Sequence, residues 1–218
     1  MKLAGARPRS GKISAMRKKL ACFLLALWLC ASCAPLTRPN PPATETPSPQ
    51  PSAADYAVYK ALIETMYADQ SLGMIVIRDH TDSGLANTGS DAKAFEAIQP
   101  ALPEVDQALK DSFLARNVQS ALLEDRFNLK TPVTLLSQAD FDSFFGKGGT
   151  GWDDFYFQYP KSQGILTLSK VGFNARGDKA LICASTQAYT LAGAGYAVVL
   201  SLENGQWKVL NQVMLWTS

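Results

Sequence analysis

Residues 164–218 read "GILTLSKVGFNARGDKALICASTQAYTLAGAGYAVVLSLENGQWKVLNQVMLWTS", and their pattern predicts a β-sheet. Its four runs, rich in β-branched and aromatic residues, are separated by "NARGD", "LAGAG" and "ENGQ", which contain the residues that turns require. Asn204-Gly205 is the strongest hairpin signal of the three, because both residues accept a positive φ. Four consecutive strands joined by tight turns predict an antiparallel meander.

Alternation along the last strand predicts which of its side chains share a face of the sheet. One face would carry Trp207, Val209, Val213 and Leu215, and the other Leu210, Met214 and Trp216. Both faces are apolar near the end of this strand, so we expect the helices to cover only part of the sheet.

The residues upstream of the meander predict mainly helices. Apolar side chains at helical spacing predict an amphipathic helix over Asp55–Ala68. Further helices are expected over 91–98, 104–117 and 138–145, with one or two more turns over 120–127, and short strands at Gly73–Asp79 and "TPVTLLS". Helices come early and strands late, so the predicted class is α+β, with helices packed on one face of the sheet. A cystatin-like or nuclear-transport-factor-like cone is the fold analogy.

The first 32 residues are typical of a secretory signal. Seven cations precede residue 20, no acidic residue precedes Glu45, and an apolar run follows over Leu20–Ala31. This run is shorter than the roughly 20 residues that a membrane-spanning helix needs. Met16 offers a second start, which would give a more compact signal.

The end of this run, "CASC", resembles the signal of bacterial lipoproteins, in which two small residues precede a lipid-modified cysteine. Ala31 and Ser32 fit, and the resemblance implies that Cys33 receives a diacylglyceryl group and fatty acyl chains such as palmitate. Cys30 departs from the pattern, because Leu usually stands there. Two alternatives stay open: an ordinary signal cut near residues 31–34, which would leave a diffusible protein, and an uncleaved anchor.

Residues 34–54 form a Pro-rich linker, with seven prolines in "APLTRPNPPATETPSPQPSAA". Such a segment favours extended polyproline II and reaches roughly 65 Å at about 3.1 Å per residue. We therefore expect a signal peptide over 1–32, a lipidated Cys33 with its linker up to residue 54, and one α+β domain over 55–218. The expected location is the bacterial cell envelope. By analogy with enteric sorting, Ala34 after Cys33 favours the outer membrane in a Gram-negative cell.

The charge balance argues against binding to nucleic acid. Removing residues 1–32 takes away seven of the 21 Lys and Arg residues and none of the 19 Asp and Glu residues, which leaves a net charge of about −5. No basic cluster remains to contact phosphates. The expected partners are the membrane, through the anchor, and an unidentified envelope protein or ligand.

A longer pattern, "YP…GI…LSKVGFN…AL…AGAGY…VL…NGQWKV…WTS", resembles a group of bacterial envelope-associated proteins of uncharacterised activity. The resemblance covers residues 73–218, is densest from Tyr159 onward, and includes "IVIRD" near the start. It implies export and a single α+β unit, and it implies no activity, cofactor or catalytic residue.

Two segments carry the candidate ligand residues. His80, the single histidine, lies in "RDHTD" beside Asp79 and Thr81, where an acid could orient an imidazole for hydrolysis. One histidine falls short of a zinc site, and an oxygen-ligand calcium site at Asp79, Asp82 and Asp91 lacks EF-hand spacing. We therefore predict no metal and no cofactor. Cys183, in the middle of a strand, is expected to be a small buried hydrophobe rather than a nucleophile.

The second segment, "WDDFYFQYP", places Trp152 and Tyr156 beside two adjacent carboxylates, a composition that suits a sugar-binding cleft. Adjacent acids on a helix point in different directions, so they do not form the convergent pair that glycoside hydrolysis requires. The expected function is a tethered, non-enzymatic binding or accessory domain. Its alternatives are an exported hydrolase that uses His80 and a purely structural role.

Overall fold

The computed structural model describes residues 50–67, 71–83, 85 and 91–218. The predicted signal, Cys33 and most of the Pro-rich linker lie outside the described residues. The described residues all belong to one compact unit. Within it, no helix has both the length and the apolar character needed to cross a membrane.

Helices dominate the first half of the described chain and strands the second, which confirms the α+β class. The helices are α1 (Ala53–Met66), α2 (Asp91–Ile98), a 3-10 turn (Gln99–Ala101), α3 (Gln107–Arg116), α4 (Gln138–Phe145) and α5 (Trp152–Gln158). The strands are β1 (Met74–Arg78), β2 (Val133–Leu136), β3 (Ser162–Leu168), β4 (Gly172–Phe173), β5 (Lys179–Tyr189), β6 (Ala192–Glu203) and β7 (Gln206–Thr217).

The strands form one mixed sheet in the order β2-β1-β3-β5-β6-β7, and β4 pairs with β5. Strand β3 pairs with β5, β5 with β6, and β6 with β7, and all three pairs are antiparallel. The predicted meander is therefore confirmed. Asn204 and Gly205 turn the last hairpin with φ values of 51° and 77°. Strand β1 adds a parallel portion, because it pairs in parallel with both β2 and β3.

Helices cover both faces of the sheet, which corrects the expectation of one covered face. Helix α1 packs on the face that carries Ile182 and Val198. Helices α2 and α3 pack on the opposite face, against Leu181, Cys183 and Val199. The reason lies in β5 and β6, where apolar side chains occupy consecutive positions and so point to both faces.

The predicted face assignment for β7 is wrong. Trp207 and Val209 pack with α1, whereas Val213 and Leu215 pack on the opposite face. The register against β6 shifts at two points, between Val199 and Leu200 and between Gly195 and Tyr196. Each bulge inserts one residue and reverses the alternation that follows it.

Two local predictions also differ from the structure. Most of "LAGAG" lies in strand β6, and the turn before it is Thr190-Leu191. Residues 120–127 are not helical; they run alongside residues 79–81, where Thr81 and Leu123 donate backbone hydrogen bonds to Ala121 and Asp79. These contacts provide the backbone groups of the segment with hydrogen-bond partners, which a helix would otherwise provide.

Candidate functional site

A groove of about 740 Å³ lies on the face of the sheet opposite α1. On this face, α2 and α3 cover one part of the sheet, and α4 and α5 cover another. The groove opens over the part that neither pair covers. Its floor is formed by Ile165 and Thr167 of β3 and by Ser185 and Gln187 of β5, and we call it the sheet groove.

The strand register places these floor residues side by side. Ile165 is paired with Gln187, and Thr167 with Ser185, so all four side chains point to the same face. Ile165 is buried, whereas the other three are half-buried. The floor therefore presents two hydroxyls and one amide beside an apolar side chain.

Aromatic rings from α4 and α5 form one wall of the sheet groove. The ring centroids of Phe141 and Phe145 are 5.1 Å apart, and Trp152 lies 4.5 Å beyond Phe145. The row continues to Tyr189 of β5, whose ring lies 5.7 Å from Trp152 and is 51% exposed. Behind the wall, the fully buried Phe155 packs against Phe145 and Trp152. Close packing of this kind holds the rings of the wall in place.

Arg78 lies at one end of the wall. Its guanidinium carbon is 3.9 Å from the centroid of Phe141, a cation–π contact, and its Nη2 donates to Oε1 of Gln138. Its Nε is buried and has no hydrogen-bond partner in the described part of the chain. Burial lowers the pKa of Arg78, while the negative charges of Asp79, Asp142 and Asp82 oppose that shift.

Two glycines of β6 shape the other end of the sheet groove. A Cβ atom at Gly193 would overlap the amide of Gln187, and one at Gly195 would overlap the indole of Trp216. The amide and the indole occupy the space that those Cβ atoms would fill. Nε2 of Gln187 is also 3.4 Å from Oγ of Ser218. The "AGAG", "STQ" and "WTS" segments thus meet at one site.

The two predicted ligand segments contribute unequally to this groove. Trp152 lines it, and Tyr156 supports the wall: its ring contacts Trp152 and Tyr189, and its hydroxyl donates to the carbonyl of Ala188 at 2.8 Å. His80 and Thr81 lie outside the groove and line a neighbouring cavity of about 250 Å³, and Asp82 borders both.

Asp79, His80 and Thr81 make structural contacts. Nδ1 of His80 is 2.7 Å from Oδ1 of Asp79, and its Nε2 is 3.3 Å from Nη2 of Arg78. Because a guanidinium only donates, the Arg78 contact assigns Nε2 as the acceptor and places the proton on Nδ1. Thr81 is buried, and its Oγ1 accepts the backbone N–H of Ala121 at 2.9 Å.

The hydrolase alternative needs a nucleophile beside His80. Among the described residues, the hydrogen bonds of the imidazole go to Asp79 and Arg78, neither of which is a hydroxyl or a thiol. Cys183 is 3% exposed and packs in the core under α2 and α3. The described contacts therefore give the hydrolase alternative no support.

The calcium hypothesis also finds no support in the described part. No group of three or more His, Cys, Asp or Glu residues there could hold a metal ion. Asp79 and Asp82 flank His80 in the chain, and the side chain of Asp91 lies outside the described residues.

Sequence patterns alone did not reveal most of the residues that line the sheet groove. The missed residues are Arg78, Phe141, Phe145, Ile165, Thr167, Ser185, Gln187, Thr190, Trp216 and Ser218. One signal was present: three polar residues in a row, "STQ", follow the apolar start of β5. Consecutive polar residues in a central strand indicate that neither face is fully covered there. No protein-family model, curated protein or solved structure matches this chain.

Proposed function

We propose that the chain is a lipid-anchored protein of the bacterial cell envelope whose folded part binds a ligand in the sheet groove without catalysing a reaction. The observation that carries the binding role is the composition of the groove. An aromatic wall faces a floor of hydroxyl and amide groups on a rigid sheet. Binding sites are typically concave and mostly apolar, with a few polar groups that orient the ligand, and have volumes of about 300–1,000 Å³.

The anchor rests on the signal segment and on the chemistry of fatty chains. Each buried CH₂ group contributes about 0.8 kcal/mol to membrane binding, so a single acyl chain binds reversibly and two or three chains hold a protein stably. Processing of the lipoprotein type would attach two or three chains to Cys33. The Pro-rich linker would then separate the groove from the bilayer surface.

Cys33→Ser is expected to move the protein from the membrane fraction to the soluble fraction of the envelope. The substitution removes the thiol that would carry the diacylglyceryl group, so a chain cut near residues 31–34 would keep no acyl chain. The measurement is an immunoblot of washed membranes and soluble fractions from cells that produce the full chain.

Cys22→Ser is the matched control, because it changes a thiol of the same signal segment that lies outside the four residues of the lipoprotein pattern. It should leave the protein in the membrane fraction. Equal distributions for the two variants, or a wild-type protein that is already soluble, would contradict the proposal.

A further inference from the structure

We infer that the ligand of the sheet groove is a neutral saccharide. This inference rests on the proposed function, since it names the class of ligand for the same groove. It depends on the combination of exposed ring faces, a floor that carries hydroxyls, and balanced charge.

The wall suits one side of a sugar ring. A pyranose has a face of C–H groups, and these carry a small positive charge that the negative face of an aromatic ring attracts. Phe141, Phe145 and Trp152 line the groove, and each of them is half-buried. Their rings are therefore accessible to a ligand that lies along the wall.

The floor suits the hydroxyl rim of the same ring. Each sugar hydroxyl both donates and accepts, and so do the hydroxyls of Thr167 and Ser185 and the amide of Gln187. Nε2 of Gln187 already donates to the carbonyl of Tyr189, but a fatty chain in this position would bury the hydroxyls of Thr167 and Ser185 without offering them a partner, which is costly. The floor therefore favours a ligand that is polar along one side.

The charges near the groove argue against an anionic ligand such as a phosphate. Arg78 and Asp82 are the charged side chains that line it, and their opposite charges sum to zero. Asp79 and Asp142 lie close enough to act on Arg78 as well, so the surroundings of the guanidinium are net negative. An incoming anion would meet repulsion that a neutral ligand would not.

The position of the groove argues against an extended peptide. Peptides that bind to sheets usually add to an edge strand, where backbone N–H and C=O groups are unpaired. Here β3 and β5 lie inside the sheet and use those groups to pair with each other and with their other neighbours. A peptide on this face would have to rely on side chains alone.

The test uses the mature protein, purified from membranes in a detergent without a sugar headgroup. Past residue 32 the chain has three tryptophans: Trp152 and Trp216 line the groove, and Trp207 packs on the other face. Their indole N–H signals are followed by NMR while chitotetraose, cellotetraose or maltotetraose is added. Saccharide concentrations up to about 10 mM allow a dissociation constant in the millimolar range to be measured.

At least one saccharide is expected to shift the Trp152 and Trp216 signals saturably and to leave Trp207 in place. Thr167→Val removes a floor hydroxyl while keeping the side-chain shape, and should weaken that binding about tenfold. Thr186→Val is the matched control, because Thr186 lies on β5 with its side chain on the opposite face. It should leave the affinity unchanged.

Three results would overturn the inference: no saturable shift with any of the three saccharides, an equal shift of Trp207, or equal affinities of the two threonine variants. Benzoate and glycylphenylalanine serve as probes of other chemistry. If one of them shifts the two groove indoles and every saccharide fails, the saccharide class is wrong and the groove remains a binding site. If every probe fails, the binding role itself loses its support, independently of the anchor.

Discussion

Asp55→Ala is expected to lower the free energy of unfolding by about 3 kcal/mol, the lower end of the cost of removing one partner from a buried ion pair, because the Arg116 side chain is 29% exposed. The Asp55 carboxylate is fully buried, and its Oδ2 lies 2.9 Å from Nη2 of Arg116 at the end of α3. The same oxygen accepts the N–H of Ser52 at 2.7 Å, which closes the capping box of α1. Its Oδ1 accepts the N–H of Val171 at 3.3 Å.

Truncation at this position removes a partner from three groups at once, because one carboxylate joins α1, α3 and the segment between β3 and β4. Urea unfolding monitored by circular dichroism measures the change in the free energy of unfolding. The comparison requires that the m-value, the slope of this free energy against urea concentration, is the same for both proteins. Glu64→Ala is the control on the same helix, since Glu64 pairs with Lys60 at the surface and such pairs contribute little. A loss for Asp55→Ala no larger than that for Glu64→Ala would contradict this account.

Gly172→Ala is the second substitution with a large expected effect. An added Cβ atom would lie 2.6 Å from Cα of Phe113 and 2.7 Å from its backbone nitrogen. The obstacle is the backbone of α3, which cannot move aside as a side chain can. Helix α3 would have to shift away from the sheet, and overpacking of this kind costs about 1–3 kcal/mol.

Gly73→Ala is the matched control for that substitution. There the closest atom to an added Cβ is a side-chain carbon, Cβ of Lys161, at 3.2 Å, and a shift of a few tenths of an ångström would accommodate it. The melting temperature should therefore fall clearly for Gly172→Ala and little for Gly73→Ala. Equal melting temperatures would show that α3 does not approach β4 this closely.

The meander could be predicted because its signals are local. Asn204-Gly205 fixes a hairpin by its own backbone preferences, and the flanking residues have high β-propensity. The bulges in β7 could not be predicted, because they depend on the register against β6 and leave no mark in the composition of β7. One inserted residue puts Val213 on the face opposite the predicted one.

The sheet groove was predicted only at Trp152, with Tyr156 behind it, since aromatic density near acids is visible in sequence. Gln187 and Trp216 are 29 positions apart in the chain, and only the pairing of β5, β6 and β7 brings them together. Gly195 shows the same limit. Its place in "LAGAG" suggested a turn, whereas its role is to leave room for an indole.

The intact mass of the protein purified from the membrane fraction tests the lipid anchor that we propose at Cys33. We expect a mature chain that begins at Cys33 and carries a diacylglyceryl group, with or without a further amide-linked acyl chain. A chain without lipid that has been cut elsewhere near residues 31–34, or one that retains the whole signal segment, would contradict it.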